Sequence, residues 1–290
     1  MLKDPTLASL IKERSVSDKV LSPTEEAFHS WFLTNSNFVQ GRKEQLCMSD
    51  MDGFAANQNN AQGISPEEIA RDKNFLKKLR NQDGQKDKIE RAEIFEAIVE
   101  HFAENADWFG GYVIKTLEYD DRINSVDFVI EWEGEKEGET TRLGIDVTVS
   151  AEDRMQAEIE KILDNIDEGH LSSVKYFRSE ADKDRVTGDN RKFRLSNIPR
   201  VIIHLRKEKL NALCGIALKI INKQPGAKRE IEKADVVLQF LSEAKNQLDR
   251  QFEYLEETKS KKYIKLYGLL KKRILSARDR IDKVLEEKIS

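Results

Sequence analysis

The chain is poor in cysteine and lacks any long apolar run. Its 290 residues include two cysteines, Cys47 and Cys214, which are far apart and form no CxxC pair. This spacing argues against a zinc site and against a disulfide-stapled secreted domain. No segment approaches the roughly 20 apolar residues of a membrane span, and no apolar segment follows the charged residues at the start, as it would in a signal peptide. We therefore expect a soluble protein in a reducing, cytoplasmic setting.

An excess of positive charge is also missing. The formal net charge is −4, with 35% charged and 39% hydrophobic residues. Such a chain is not a basic nucleic-acid binder as a whole, so any attraction to phosphate must come from local patches. The hydrophobic share supports a core, and the charged share predicts long solvated helix faces.

Changes in composition divide the chain into three regions. Residues 1–85 are polar and predict a helical N-terminal region, in which Ser65 caps one helix. Residues 86–222 predict an α/β core. After a Pro-Gly break, residues 226–290 show only helical periodicity. Two apolar patterns there differ by one residue in register, which leaves a helical hairpin and one long helix as alternatives.

The middle region predicts a helix, three strands, a second helix and a further strand. The first helix has an apolar stripe at helical spacing, and the strands are β-branched runs bounded by Gly, Asn and Asp. We expect a turn at Asp120 and Asp121 and a charged loop over residues 178–194. The predicted elements are a helix over 88–105, strands over 112–119, 126–133 and 141–150, a helix over 151–167, a strand over 200–205 and a helix over 207–221.

Two of the predicted strands carry a single acid among apolar neighbours. Asp127 lies in one β-branched run, and Asp146 lies between Ile145 and Val147 in the next. A carboxylate in such a strand is costly to desolvate unless another charge offsets it. Neighbouring strands bring both acids to one edge of a sheet, where carboxylate oxygens hold a divalent metal ion.

This order of elements, with acids on the first helix and on the second and third strands, resembles the PD-(D/E)XK (restriction-endonuclease-like) nuclease superfamily. The resemblance covers residues 88–220 and implies an αβββαβ core of the α/β (α+β) class. In that family a helix glutamate and two strand acids hold magnesium, and a lysine two residues after the last acid assists the attacking water. Glu96 is the preferred helix acid because it lies on the inward face of the predicted helix, whereas Glu93 and Glu100 lie further toward solvent. The match implies that Glu96, Asp127 and Asp146 bind Mg²⁺ or Mn²⁺.

The resemblance departs from the family pattern at the lysine. The residue two positions after Asp146 is Thr148, whose hydroxyl carries no positive charge. One interpretation is that the lysine has migrated, with Lys175, Lys161 and Lys115 as candidates in that order, since Lys175 lies in an apolar extended run. The other interpretation is an inactive site. The catalytic residues of the first interpretation are Asp127, Asp146 and Lys175.

Two functions follow from these interpretations. The first is a metal-dependent deoxyribonuclease that hydrolyses phosphodiester bonds in DNA. The second is a catalytically inactive nuclease-fold module that binds nucleic acid or a protein partner and forms a homodimer through its C-terminal helices. Each acid and lysine also has an ordinary explanation as a solvated surface group, and this alternative stays open.

The C-terminal region offers a separate signal for nucleic-acid binding. A basic helix face can follow a phosphate backbone, with binding that weakens as salt rises. The same face could simply be solvated and balance the acidic remainder of the chain. The basic residues concerned are Lys259, Lys261, Lys262, Lys265, Lys271, Lys272, Arg273, Arg278, Arg280 and Lys283.

Overall fold

The computed structural model describes most of the chain in ten stretches. They are residues 21–34, 50–54, 64–82, 91–103, 105–134, 139–149, 152–183, 190–232, 235–258 and 264–289. In chain order, the described elements are α1 (Pro23–Thr34), a 3₁₀ turn (Asp50–Phe54), α2 (Pro66–Gln82), α3 (Arg91–Phe102), β1 (Tyr112–Lys115), α4 (Glu118–Asn124), β2 (Phe128–Glu133), β3 (Thr140–Thr148), α5 (Glu152–Asp167), β4 (Ser172–Lys183), β5 (Asn190–Ile198), β6 (Arg200–His204), α6 (Lys207–Ile221), α7 (Ala227–Glu232), α8 (Asp235–Thr258) and α9 (Ile264–Ile289).

Four strands form a small mixed sheet in the order β1-β2-β3-β6, and β4 and β5 form a separate two-stranded hairpin. The pairs β1–β2 and β2–β3 are antiparallel, whereas β6 runs parallel to β3. The parallel pair is joined through α5 and the β4–β5 hairpin, since a parallel neighbour needs a long crossover. The predicted mixed α and β architecture is therefore confirmed at this coarse level.

The two faces of the sheet bury different partners. Leu143, Ile145 and Val147 alternate along β3 and pack into the main apolar core with residues of α1, α3, α6, α8 and α9. The opposite face is covered in two parts. Ile202 of β6 packs against α5, and Val129 of β2 packs against the β4–β5 hairpin. Because side chains alternate along the strands, as predicted, the face of the sheet that carries Asp146 lies opposite the main core.

The free edge of β6 is covered by side chains of α8 rather than by another strand. Gln247 accepts a hydrogen bond from the Ile202 N–H at 2.8 Å and donates one to the Ile202 carbonyl at 2.7 Å. One turn further along, Gln251 donates to the Arg200 carbonyl at 2.7 Å. Because an open strand edge is a template for unwanted pairing, this amide stripe satisfies the edge and fixes α8 against the sheet.

The helices α8 and α9 run antiparallel along each other. Lys271 of α9 bonds Glu256 near the end of α8, and Arg278 of α9 pairs with Asp249, two helical turns earlier in α8. The apolar seam of α9 is buried within the chain, including Ile274, which is fully buried. Residues 259–263, where the two predicted registers meet, lie outside the described residues. Among the described helices, none has the length and apolar content needed to cross a bilayer.

Three local predictions were wrong. The strand expected to reach residue 119 ends at Lys115, and the expected turn at Asp120 and Asp121 belongs to the short helix α4. Acidic residues fill the first turn of α4, where they complement the positive end of the helix dipole. The expected loop over 178–194 is largely the β4–β5 hairpin. Apolar side chains of this hairpin pack on the sheet. The segment was predicted as a loop because it contains many charged residues.

Candidate metal centre

Three carboxylates from separate segments converge beside the paired ends of β1 and β2. Glu96 comes from α3, Asp121 from α4, and Asp127 from the position before β2. One oxygen atom of each carboxylate lies within 4.8 Å of the other two. Glu96 reaches this point because its neighbours Phe95 and Ala97 are fully buried, which places it at the border of the apolar face of α3.

A lysine lies among these acids. The Lys115 ammonium is 2.7 Å from Glu96 Oε2 and 3.9 Å from Asp127 Oδ1, and its side chain is only 2% exposed. It also lies 4.5 Å from the ring centroid of Phe128, a cation–π distance. Lys115 is therefore an internal cation of the acidic group and not a solvated surface lysine.

Asp127 is held rigidly by the neighbouring strand. Its N–H donates to the Ile145 carbonyl at 2.9 Å, although Ile145 is already the ladder partner of Phe128. This bond extends the contact between the two strands by one residue beyond the ladder. The carboxylate of Asp127 accepts a hydrogen bond from the Val147 N–H at 2.7 Å. Asp127 is consequently bonded to both neighbours of Asp146.

Asp146 points away from the main core and has a different cation. Its carboxylate is 3.8 Å from the Arg200 guanidinium, and its side chain is 20% exposed. Asp146 faces the same side of the sheet as its parallel partner Ile202, whereas Ile145 and Val147 face the core. Its side chain is more exposed than those of Glu96, at 13%, and Asp127, at 7%.

Burial and neighbouring acids both raise the pKa values of the aspartates in this group. Burial raises the pKa of Asp127 well above its ordinary value, and the charges of Glu96 and Asp121 add to the effect, while Lys115 opposes it. Burial likewise raises the pKa of Asp121. The pKa of Asp146 rises to about 6 for the same reason, against the influence of Arg200. Crowded carboxylates of this kind hold a proton or a cation.

Lys115 responds in the opposite way to the same surroundings. Burial alone would lower its pKa, but the charges of Glu96 and Asp127 raise the pKa of Lys115 above its ordinary value. The ammonium is therefore charged at neutral pH.

The structure brings some of the predicted site residues together and leaves others apart. Glu96 and Asp127 meet in the acidic group, and Asp146 lies beside it through the β3 contacts. Lys175 lies elsewhere: its ammonium bonds Glu68 at 2.7 Å and also Asp72, both on α2. The apolar run around Lys175 reflects its place in β4, and its charge is used to dock α2 on that strand.

The other two lysine candidates differ in their exposure and in their contacts. Lys161 is 63% exposed on α5 and pairs with Glu158 in the same helix, so it is a solvated surface group. Lys115, the third of the three candidates, is the lysine that contacts the acids. Thr148 pairs with His204 across the parallel ladder, with no lysine at that position of β3.

Asp121 was missed by sequence reasoning because it was assigned to a turn. The available signal was the pattern of acids at Glu118, Asp120 and Asp121 followed by Arg122, which is typical of a helix first turn. Asp120 accepts hydrogen bonds from the N–H groups of Lys175 and Tyr176 in β4. This contact anchors α4 and leaves the adjacent Asp121 turned toward Glu96 and Asp127.

The basic face of α9 is largely used within the chain. Arg273 donates to the Asn197 carbonyl at 2.8 Å, Arg280 donates to the Glu133 carbonyl at 2.7 Å, and Lys271 bonds Glu256 at 2.6 Å. Lys272 and Lys283 are exposed. Lys259, Lys261 and Lys262 lie outside the described residues, and the side chain of Lys265 is likewise not described. Nucleic-acid binding by α9 would thus depend on a few of the predicted cations.

Comparisons with protein-family models, with curated proteins and with solved structures found no significant match for this chain. The functional argument consequently depends on the geometry of the acidic group and on the order of the elements that carry it.

Proposed function

We propose that the protein is a metal-dependent nuclease with a restriction-endonuclease-like αβββαβ core, acting on DNA. The observation that carries the proposal is the convergence of Glu96, Asp121 and Asp127 on one another, with Asp146 beside them. The described order α3, β1, β2, β3, α5, β6 supports it, with α4 and the β4–β5 hairpin as insertions.

The acidic group fits a divalent metal ion by its donor chemistry. Magnesium and manganese prefer carboxylate oxygens, and Mg–O distances of about 2.1 Å place opposite ligands about 4.2 Å apart. Oxygen atoms within 4.8 Å of one another need only small side-chain rotations to reach that spacing. A bound metal would polarise a phosphate and lower the pKa of a bound water.

The residues of the chain itself have distinct roles in this proposal. Glu96, Asp121 and Asp127 hold the metal, and Asp146 faces the more open side, where a phosphodiester can approach. Lys115 takes the part that a lysine at position 148 would have: a fixed positive charge that stabilises negative charge developing on the phosphate. Its place on β1 rather than β3 keeps the ammonium next to the same acids.

A second candidate function is a catalytically inactive module with the same fold. The observation that favours it is the Lys115 ammonium at 2.7 Å from Glu96, because a lysine there can neutralise the acids permanently in place of a metal. This protein would bind DNA or a protein partner without cleaving it, and dimerisation through α8 and α9 belongs to this alternative.

The test is a nicking assay on supercoiled DNA with Mg²⁺ or Mn²⁺, together with Mn²⁺ binding by calorimetry. Wild type should bind Mn²⁺ and nick DNA. Asp127→Asn and Asp146→Asn should each lower the rate by about 10²-fold or more, in the range found for loss of one transition-state stabiliser. Asp279→Asn is the matched control, since that carboxylate is 68% exposed on α9, and its rate should equal that of wild type.

The outcomes separate the two candidates. Metal binding with cleavage lost in both site variants supports the nuclease. A wild-type protein that neither binds Mn²⁺ nor cleaves DNA supports the inactive module with Lys115 as a permanent counter-ion. Cleavage that survives Asp127→Asn contradicts the assignment of this site.

A further inference from the structure

Arg200 is a buried charge whose role the proposed reaction does not explain. It begins β6, and its side chain is 5% exposed. A buried guanidinium is costly unless its donors are paired, yet Nε has no hydrogen-bond partner within the described residues. Specific contacts must therefore offset the cost of burying this guanidinium.

The contacts of Arg200 join two segments of the candidate metal centre. Nη1 donates to the carbonyls of Asn124 and Ser125, at 3.2 and 2.8 Å, and it lies 3.8 Å from Asp146 Oδ2. Asn124 is the last residue of α4, and Ser125 has a left-handed backbone with φ of 51° that ends the helix. A positive charge at the carboxyl end of a helix is favourable because the last carbonyls have no partner within the helix.

The segment that Arg200 binds is the connection between two proposed metal ligands. Asp121 lies on α4 just before Asn124 and Ser125, and Asp127 lies just after them. Asp146 lies on β3, the strand that pairs with β6. Arg200 is therefore the side chain that contacts both the α4–β2 turn and the acid on the neighbouring strand.

We propose that Arg200 is a positioning residue that locks the α4–β2 turn, and with it Asp121 and Asp127, against Asp146. The inference rests on the proposed function for its consequence on metal binding, but the lock itself is a property of the fold. Metal affinity depends on such supporting contacts, whose loss commonly costs 10–100-fold.

A plain counter-ion for Asp146 is the alternative explanation of the same contacts. It requires only a positive charge, which lysine supplies as a single point. The lock requires a donor at the position of Nη1, which makes all three contacts; a lysine side chain ends one bond short of that position and carries its charge on a flexible stem. The substitution Arg200→Lys separates these two roles.

The experiment compares wild type, Arg200→Met and Arg200→Lys by amide hydrogen exchange and by Mn²⁺ calorimetry. Exchange in residues 118–127 should increase about tenfold or more in both variants, because local opening becomes easier. The Mn²⁺ dissociation constant should rise about 10–100-fold. The matched control is Arg273→Met, which removes another guanidinium that binds backbone carbonyls, those of Ser196 and Asn197, and should leave both readouts unchanged.

A double-mutant cycle adds a readout that a general loss of stability would not change. If Arg200 acts by placing Asp146 relative to the other acids, Arg200→Met should weaken Mn²⁺ binding much less when Asp146 is already asparagine. Independent effects would instead add.

Each outcome decides the inference. Faster exchange in 118–127 with weaker Mn²⁺ binding supports it. Arg200→Lys behaving as wild type in both readouts overturns it in favour of the plain counter-ion, and unchanged exchange in Arg200→Met overturns it outright. If Arg200→Met does not fold, Arg200→Lys alone decides by the same criteria. A wild type that binds no Mn²⁺ contradicts the proposed function, and the exchange data then still test the lock.

Discussion

Removal of the Lys115 ammonium should destabilise the protein strongly unless a metal ion is present. At an effective dielectric of 20, charges 2.7 and 3.9 Å apart attract by about 6 and about 4 kcal/mol, the distances from Lys115 to Glu96 and Asp127. Desolvation of the buried ammonium offsets much of this attraction. Breaking a buried pair typically costs about 3–5 kcal/mol, because the partner charge is left uncompensated. We therefore expect Lys115→Met to lower the free energy of unfolding by that amount at pH 7.

A bound metal ion should restore part of this lost stability, because the acidic group of the variant has more uncompensated negative charge than that of wild type. A ligand at a hundred times its dissociation constant stabilises the folded state by about 2.7 kcal/mol. Mn²⁺ should consequently stabilise Lys115→Met more than it stabilises wild type. Lower pH should also reduce the deficit, because protonation relieves the repulsion among acids whose pKa is already raised by burial, such as Asp127.

The assay is urea unfolding followed by tryptophan fluorescence, since Trp108 is fully buried, with and without Mn²⁺. Lys219→Met is the matched control. Its ammonium pairs with Glu230, and both side chains are more than 40% exposed, so its loss should cost at most about 1 kcal/mol. The reasoning is refuted if Lys115→Met costs no more than Lys219→Met, or if Mn²⁺ stabilises the variant and wild type equally.

Two further predictions concern the framework of the site. Gln247→Met should lower the free energy of unfolding by about 2–6 kcal/mol, since it leaves the N–H and carbonyl of Ile202 unpaired at about 1–3 kcal/mol each. Gln239→Met, whose amide bonds only side chains, should cost far less in the same urea titration. Glu25 is buried, which by itself raises the pKa of its carboxyl, but the hydrogen bonds from Arg91 and Ser22 and the charge of Arg91 together hold the pKa of Glu25 below its ordinary 4.5. Its stabilising contribution is thus full above pH 4.5 and is lost as pH falls through the lower folded value, so acid unfolding of Glu25→Gln should begin from a lower stability and show a flatter slope below pH 4.5.

The strands and the long helices could be predicted from the sequence because their periodicity is local. The alternation along β3 places Asp146 away from the core without any knowledge of its neighbours. The inward face of α3 likewise limits the choice of helix acid to Glu96, since Glu93 is exposed. Two of the three carboxylates that converge were therefore identified from pattern alone.

The rest of the site depends on long-range contacts that no local pattern records. Lys115 and Lys175 both lie in extended apolar runs, so the sequence does not distinguish them. Lys175 pairs with Glu68 and Asp72 of α2, a helix about a hundred residues earlier in the chain, whereas Lys115 faces α3. The short helix α4 has seven residues, too few to show a helical period, and the acidic first turn that indicates a helix there does not show that Asp121 meets Glu96 and Asp127.

The balance of charges in the candidate metal centre explains why it should take a divalent ion. The four carboxylates of Glu96, Asp121, Asp127 and Asp146 outnumber the two cations that lie among them, Lys115 and Arg200, by two charges when all acids are ionised. Burial raises the pKa values of Asp121, Asp127 and Asp146, and the neighbouring acids add to this effect, so protonation is one way to neutralise the excess. One divalent ion supplies the same charge without protonating any ligand. An inactive module balanced by lysine alone has no need of that excess, and measured Mn²⁺ binding would therefore weigh directly against it.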